Sequence, residues 1–257
     1  MNWIRDRVLN GERVCGTWLN LGSAMTAEIA ALAGFDWVVL DLEHGAGDHD
    51  SLLHQIQAVS AAPAAPIVRI AWNEAPRFKR VLDLGCAGIV VPYVTTPAEA
   101  EQAVAAMRYP PQGIRGAASL TRAAAYGKDF AEYLSTANQK LLTVVQIETE
   151  PTLDHLDEIA AVDGVDVLFI GPLDLSVSMG IPAQFDHPRF RSAVVRVNEA
   201  ARRAGKAAGI LLGRVEQIEQ TVADGFTFIG IGSDGSVLAN GMRALASAVK
   251  EHPRGPT

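Results

Sequence analysis

Two acidic residues, Glu148 in VVQIETE and Asp174 in IGPLDLS, each follow a short β-branched run. Two carboxylates at the ends of consecutive strands suit an oxygen-seeking cation such as Mg²⁺ or Mn²⁺, with several coordination positions left open. Those positions could take the two oxygens of a 2-oxo acid. Alternatively both carboxylates cap the helices that follow, and Asp174, ahead of LSVSMG, suits an N-cap. His44 closes the run DLEH. Imidazole titrates near neutral pH and so suits proton transfer, with Asp41 or Glu43 able to orient the ring. A solvated loop histidine is the other reading. Arg69 interrupts the otherwise apolar PIVRIAW. A buried guanidinium needs an anionic partner: a substrate enolate or carboxylate, or a structural ion pair with Asp41 or Glu43.

The lysines test a rival chemistry. There are five, Lys79, Lys128, Lys140, Lys206 and Lys250, and none falls at the carboxyl end of an expected strand. Schiff-base catalysis needs a desolvated lysine at the reacting centre. Carbon–carbon chemistry here therefore turns toward metal stabilisation of an enolate. The other histidines, His49, His54, His155, His187 and His252, fall in loops or on helices, where solvated roles are the default. Gly230, Gly232 and Gly235 in GIGSDG match a dinucleotide spacing. They follow the last strand, with no βαβ unit left to supply a ribose-binding acid. A turn of this kind more often seats a phosphate or carboxylate on backbone N–H groups.

The elements that must position these residues follow from hydrophobic period. Short apolar runs at 14–20, 37–42, 66–72, 88–94, 141–147, 165–170, 206–212 and 226–231 read as strands. Helical spacing occupies 24–33, 52–60, 75–84, 97–108, 129–138, 151–161, 188–204, 214–223 and 236–250. About eight βα units without a linker predict one (β/α)₈ TIM-type barrel spanning 1–257, with an open doubly wound sheet as the alternative. In such barrels the chemistry lies at the carboxyl ends of the strands. Those ends carry Trp18 and Asn20, then Asp41, Glu43 and His44, Arg69, Pro92 and Tyr93, Gln146 and Glu148, Gly171, Pro172 and Asp174, Leu212, and Ser233 and Asp234. The amino ends carry less: Asp36, Lys140, Asp163 and Lys206.

Composition sets the outer bounds. The 257 residues are 49% hydrophobic and 20% charged, an ordinary globular balance. A net charge of −7 argues against nucleic acid and anionic membrane as partners. No apolar run reaches the roughly eighteen residues a membrane span needs, and MNWIRDRVLNGERV has no apolar core for a signal peptide. Cys15 and Cys86 lack metal-type spacing and read as free, buried thiols in a reducing, cytoplasmic compartment.

The chain resembles the HpcH/HpaI aldolase family from about Gly16 to Val249. The resemblance is carried by GTWLNLGSAMTAEIAALAGFDWVVLDLEH, VRIAWNEAPRFKRVLDLG, RYPPQGIRG, VQIET, GVDVLFIGPLDLS and GKAAGILL…GFTFIGIGSD. It implies a modified barrel of the phosphoenolpyruvate/pyruvate superfamily, its last helix exchanged between two subunits, and a homo-hexamer built as a trimer of dimers. It also implies a metal-dependent (class II) pyruvate aldolase that reversibly cleaves 4-hydroxy-2-oxo acids to pyruvate, or a related 2-oxo acid, and an aldehyde. Glu148 and Asp174 then match the ligands of a Mg²⁺, Mn²⁺ or Co²⁺ ion. Arg69 matches the arginine that steadies the enolate, His44 the acid/base histidine and Asp41 its acidic neighbour. Gln146 matches a polar group near metal and substrate. Gly171, Pro172 and Leu173 fall in the pocket for the pyruvate carboxylate, while Trp18 and Leu212 match residues near the acceptor aldehyde. Two departures bear on substrate choice: DLEHGAGD stands where relatives often read DGEHAPN, and Leu173 where a smaller residue is common. Oxo-acid decarboxylation or citrate-type condensation on the same site is the alternative activity.

Overall fold

Eight parallel strands pair in chain order and close on themselves in the computed structural model, which describes residues 4–251. They are β1 (Val14–Leu19), β2 (Trp37–Asp41), β3 (Ala65–Arg69), β4 (Gly88–Val91), β5 (Leu142–Ile147), β6 (Val167–Ile170), β7 (Ala207–Leu212) and β8 (Phe228–Ser233). Closure runs through Val14 opposite Phe228 and Cys15 opposite Ile229. No strand edge remains, so the TIM-type barrel holds and the open sheet does not. His252 and the ends of the expected 1–257 unit lie outside the described residues.

The helices are α1 (Ile4–Leu9), α2 (Ala24–Leu32), α3 (His49–Val59), α4 (Ala75–Leu82), α5 (Pro97–Met107), α6 (Phe130–Lys140), α7 (Leu156–Ala161), α8 (Pro172–Ser178), α9 (Pro188–Arg203), α10 (Ile218–Ala223) and α11 (Asp234–Glu251). Local chemistry sets their starts. Asp48 and Ser51 cap α3 reciprocally, and Thr96 and Glu99 do the same for α5, whose first residue is Pro97. The expected helix over 52–60 thus begins three residues earlier, where Asp48 accepts from the Ser51 N–H.

Two apolar layers hold the barrel. Outward-facing strand residues such as Val38, Leu40, Val68 and Ile89 pack against the helices. Inside, Trp37 stacks on Phe228 with centroids 4.4 Å apart, and Trp18 meets Trp37 edge-on at 5.9 Å and Phe169 at 5.1 Å. This aromatic filling demands small residues opposite: Gly16 pairs in register with Trp37, and a Cβ there would fall inside the indole. Gly230 sits against the same two tryptophans, so packing accounts for a glycine of the GIGSDG turn.

Two helices had no counterpart in the periodicity. α1 closes the amino end of the barrel with Ile4 and Val8, whose i,i+4 spacing is diluted by the charges of IRDRVL. Arg5 of α1 grips buried Asp166 at 2.9 Å through both Nε and Nη2. α8 is seven residues long, too short to show a period, so its sequence reads as a loop. The last helix, α11, leaves Val237, Leu238, Met242, Leu245 and Val249 exposed, and α2 exposes Met25, Ile29 and Leu32.

Candidate active site

The strand register sets the first contact of the site. Asp41 and Arg69 end β2 and β3 as direct neighbours. Arg69 Nε and Nη2 donate to Asp41 Oδ1 and Oδ2 at 2.9 and 2.6 Å. Nη1 lies 2.8 Å from Glu43 Oε2 as an ion contact, and Glu43 Oε2 makes no aligned hydrogen bond among the described residues. The guanidinium sits 6.0 Å above the Trp18 ring. Burial alone would depress its pKa, but hydrogen bonds and charge from Asp41, with Glu43 and Glu148, hold it above the ordinary value. Asp41 also accepts the N–H groups of Glu43 and His44.

These contacts bear on three expectations and correct the first. Asp41 does not orient the imidazole of His44; its carboxylate is committed to Arg69 and two backbone donors. The carboxylate nearest the imidazole is Glu43, 3.9 Å away, and the His44 side chain is 63% exposed. Its ring stands at the rim, ready for water rather than fixed in a dyad. Trp18, matched by the resemblance to a residue near the acceptor, is buried beneath Arg69 as part of the barrel filling.

Across the mouth, Gln146 and Glu148 are both buried. Gln146 Nε2 donates to Glu148 Oε2 at 2.8 Å, and the Tyr93 N–H donates to Oε1 at 2.7 Å. Tyr93 reaches that geometry with φ at +52°, a left-handed conformation costly for a non-glycine residue and concentrated at functional sites. Nothing in the type of residue 93 signals this role, because the donor is backbone. Gly171 gives Glu148 its space: a Cβ there would lie 2.7 Å from Oε2. Asp174 occupies the first turn of α8, three residues after the N-cap Gly171, so it is not itself the cap.

The electrostatics of this side are unbalanced. Burial pushes Glu148 up to about 7, against the Tyr93 N–H, and the charges of Glu43 and Asp174 add to the rise. Burial also raises Glu43, with Asp41 and Asp174 contributing and Arg69 and His44 opposing. The Tyr93 phenol is raised by burial and then by Asp174, Glu148 and Glu43. Four carboxylates thus share one arginine. Gln146 Oε1 is buried without a hydrogen-bond partner among the described residues.

Acid groups so crowded fit a cation. Among the described residues no three His, Cys, Asp or Glu side chains form a ready-made cage, so the donors available are Glu148 and Asp174. All are hard oxygens, as Mg²⁺ and Mn²⁺ prefer, and water or substrate would complete the shell. By contrast, the GIGSDG turn offers no free anion cradle: the Ser233 and Ser236 N–H groups donate to each other's hydroxyls and the Gly235 N–H to Asp234. Pro172, exposed Leu173 and buried Leu212 line a neighbouring cavity.

Residues 14–241 match the family described as HpcH/HpaI aldolase/citrate lyase. The chain is 40% identical over 250 residues to a hydroxypyruvate/pyruvate aldolase of Pseudomonas aeruginosa, covering 97% of this chain and 93% of that one. It is 39% identical over 246 residues to 4-hydroxy-2-oxo-heptane-1,7-dioate aldolase of Salmonella typhimurium, covering 96% and 94%. A crystal structure of an HpcH/HpaI aldolase/citrate lyase family protein from Burkholderia cenocepacia superposes with a TM-score of 0.93 at 36% identity, covering 97% and 100%.

Proposed function

The chain belongs to the HpcH/HpaI aldolase/citrate lyase family and is a carbon–carbon lyase, and we propose that it is a divalent-metal-dependent aldolase acting on pyruvate or a close relative. The observation that carries this is the cation-deficient pair of buried Glu148 and half-buried Asp174, facing Arg69 across one mouth. In the synthetic direction a methyl proton leaves pyruvate, the resulting enolate carbon attacks an aldehyde carbon, and the new alkoxide takes up a proton. Cleavage reverses these steps, beginning with loss of the 4-hydroxyl proton.

Glu148 and Asp174 would hold Mg²⁺, Mn²⁺ or Co²⁺, which supplies positive charge opposite the developing enolate. Arg69 adds a second, preorganised charge. Asp41 and Glu43 fix its plane, so no reorganisation is needed as the negative charge forms. His44, exposed at the rim, exchanges protons with the reacting centre through water. Gln146 Oε1 offers a buried acceptor to a substrate hydroxyl or to an ordered water. Gly171, Pro172 and Leu173 border the carboxylate of the 2-oxo acid. Leu212 lies toward the acceptor.

The exposed apolar residues of α11 and α2 support exchange of the last helix between subunits and assembly as a hexamer, whose mass light scattering would read. Cys86 is buried as expected whereas Cys15 is exposed, and the two free thiols support a cytoplasmic setting. Among the described residues no helix is long and apolar enough to cross a membrane. The direct test is a panel of 4-hydroxy-2-oxo acids assayed for pyruvate release with chelator and with added Mn²⁺. Metal-restored release of pyruvate and aldehyde is expected. Oxo-acid loss as carbon dioxide alone, or full activity after exhaustive chelation, contradicts the reading.

A further inference from the structure

The GIGSDG turn offers no anion cradle, yet it shapes the mouth of the barrel. Gly16 of β1 pairs with Gly230 of β8, but Trp18 pairs with Ser233, so β8 carries one residue more than β1 over the same stretch. The extra residue is accommodated at Gly232, whose φ of +60° favours glycine. Beside it the Thr17 hydroxyl donates to the Ile231 carbonyl at 2.9 Å. Bulges of this kind re-aim the side chains that follow and gather at barrel rims and active sites. Here the side chain that follows is Asp234, the first residue of α11.

Asp234 ties three elements together. Its Oδ1 accepts the N–H of Asn20, just past the end of β1, at 2.9 Å and the N–H of Gly235 at 2.8 Å. Its Oδ2 accepts the Thr26 hydroxyl of α2 at 2.8 Å. Asn20 in turn holds the loop that carries His44, because its carbonyl accepts the Ala46 N–H at 2.9 Å. The two loops meet again where a Cβ on Gly22 would lie 2.8 Å from the Gly47 Cα. On the near side of the imidazole, Asp41 accepts the N–H groups of Glu43 and His44. The exposed ring therefore stands on a short segment pinned before it at Asp41 and after it at Asn20. One residue of backbone passes the hold of Asp234 on to Ala46. None of the partners of Asp234 is Arg69, Glu148 or Asp174, so this pin can be loosened without removing a contact to them.

We infer that Asp234 is a positioning residue: through Asn20 it fixes residues 42–47 so that the imidazole of His44 meets the reacting centre. The inference rests on the reading of His44 as the proton-exchanging group. Misplacing such a group by about 1 Å slows the chemical step. The metal and Arg69 still bind the 2-oxo acid, so the rate at saturation falls while KM holds.

The test is a double-mutant cycle on deuterium exchange at the pyruvate methyl group with saturating Mg²⁺. It compares wild type, Asp234→Ala, His44→Gln and the double variant. Asp234→Ala should lower the saturated rate on the order of tenfold to a hundredfold, with the half-saturating pyruvate concentration near the wild-type value. In the His44→Gln background the same change should cost less than about twofold. Asp234→Asn keeps an oxygen for the Asn20 N–H and should recover most of the rate. Mn²⁺ affinity, read by electron paramagnetic resonance, should match wild type in Asp234→Ala. Thermal melting verifies that the variants fold, and Thr26→Val, which removes one donor to the same carboxylate, repeats the cycle with a milder lesion. Equal losses in both backgrounds overturn the inference, as does an unchanged rate in Asp234→Ala. A wild-type rate in His44→Gln removes the role of His44 and this inference with it, leaving the metal reading intact. Absence of exchange in wild type removes that reading as well.

Discussion

The two ends of the barrel handle charge in opposite ways. At the amino end, Asp166 meets Arg5 and Asp163 meets Arg108, while Arg7 serves both Asp36 and Glu12, so each of these carboxylates has an arginine in contact. At the carboxyl end, Asp41, Glu43, Glu148 and Asp174 gather around Arg69 alone, and burial with mutual repulsion drives Glu148 to about 7. The balanced end follows the rule for stability, where each buried charge is compensated. The unbalanced end carries a cost that a cation and an anionic reaction intermediate would relieve. Within one fold, charge matched inside the chain marks structure and charge left unmatched marks chemistry.

The largest effect that can break this contrast is at its centre. Arg69→Ala should reduce pyruvate proton exchange and aldol cleavage by about a hundredfold to a thousandfold, read by NMR and by pyruvate release. It should also cost about 3–5 kcal/mol in chemical denaturation, because Asp41 and Glu43 are left buried without a counter-charge. Unchanged exchange would remove Arg69 from the reaction.

A smaller effect concerns pH. Glu148 is raised in the folded chain relative to its ordinary 4.5, so folding favours its protonated form. For the metal-free protein this contribution is fully present below about pH 4.5 and is lost as pH rises through about 7. The difference is roughly 3 kcal/mol. Denaturation midpoints measured across pH 4 to 8 should show this falling component in wild type but not in Glu148→Gln. A matching slope in both proteins assigns it elsewhere.

Smaller again is the amino end. Asp166→Asn weakens the grip of Arg5 and should cost about 1–3 kcal/mol of stability, while kcat/KM for the folded fraction stays at the wild-type value. A catalytic loss in proportion to the stability loss would erase the division between the two ends. The smallest effect sharpens the backbone contribution. Tyr93→Gly keeps the N–H that donates to Glu148 and removes the left-handed strain. It also loses the tilted ring contact with Trp72 at 5.3 Å, so its net stability change should stay within about 1 kcal/mol. Its activity should be retained; a collapse of activity would show that the tyrosine ring itself is required.

Much of this layout was legible in the residues. The eight apolar runs marked the strands because a parallel sheet covered on its outer face excludes polar residues from its middle. Arg69 stood out for the same reason, a charge in an apolar strand, and its partners were among those weighed. The failures have physical causes. Sequence proximity lets either Asp41 or Glu43 orient His44 and the resemblance favours Asp41, but strand register places Asp41 beside Arg69, and bidentate pairing wins over a loop contact. Trp18 was placed at the mouth by counting along β1, which says nothing of the layer beneath Arg69 that its ring fills. Tyr93 acts through its N–H, which side-chain chemistry does not reveal. Helix α8 carries Asp174 on too few residues for a period to show.

Central to the account is a divalent cation held by Glu148 and Asp174 that permits pyruvate to form its enolate. The most direct measurement is the rate of deuterium exchange at the pyruvate methyl group, followed by NMR. It compares exhaustively chelated protein, protein with Mg²⁺ restored, and Glu148→Gln and Asp174→Asn with the same metal. The account predicts exchange only for wild type with metal. Rapid exchange in the chelated protein, or undiminished exchange in both variants, would contradict it.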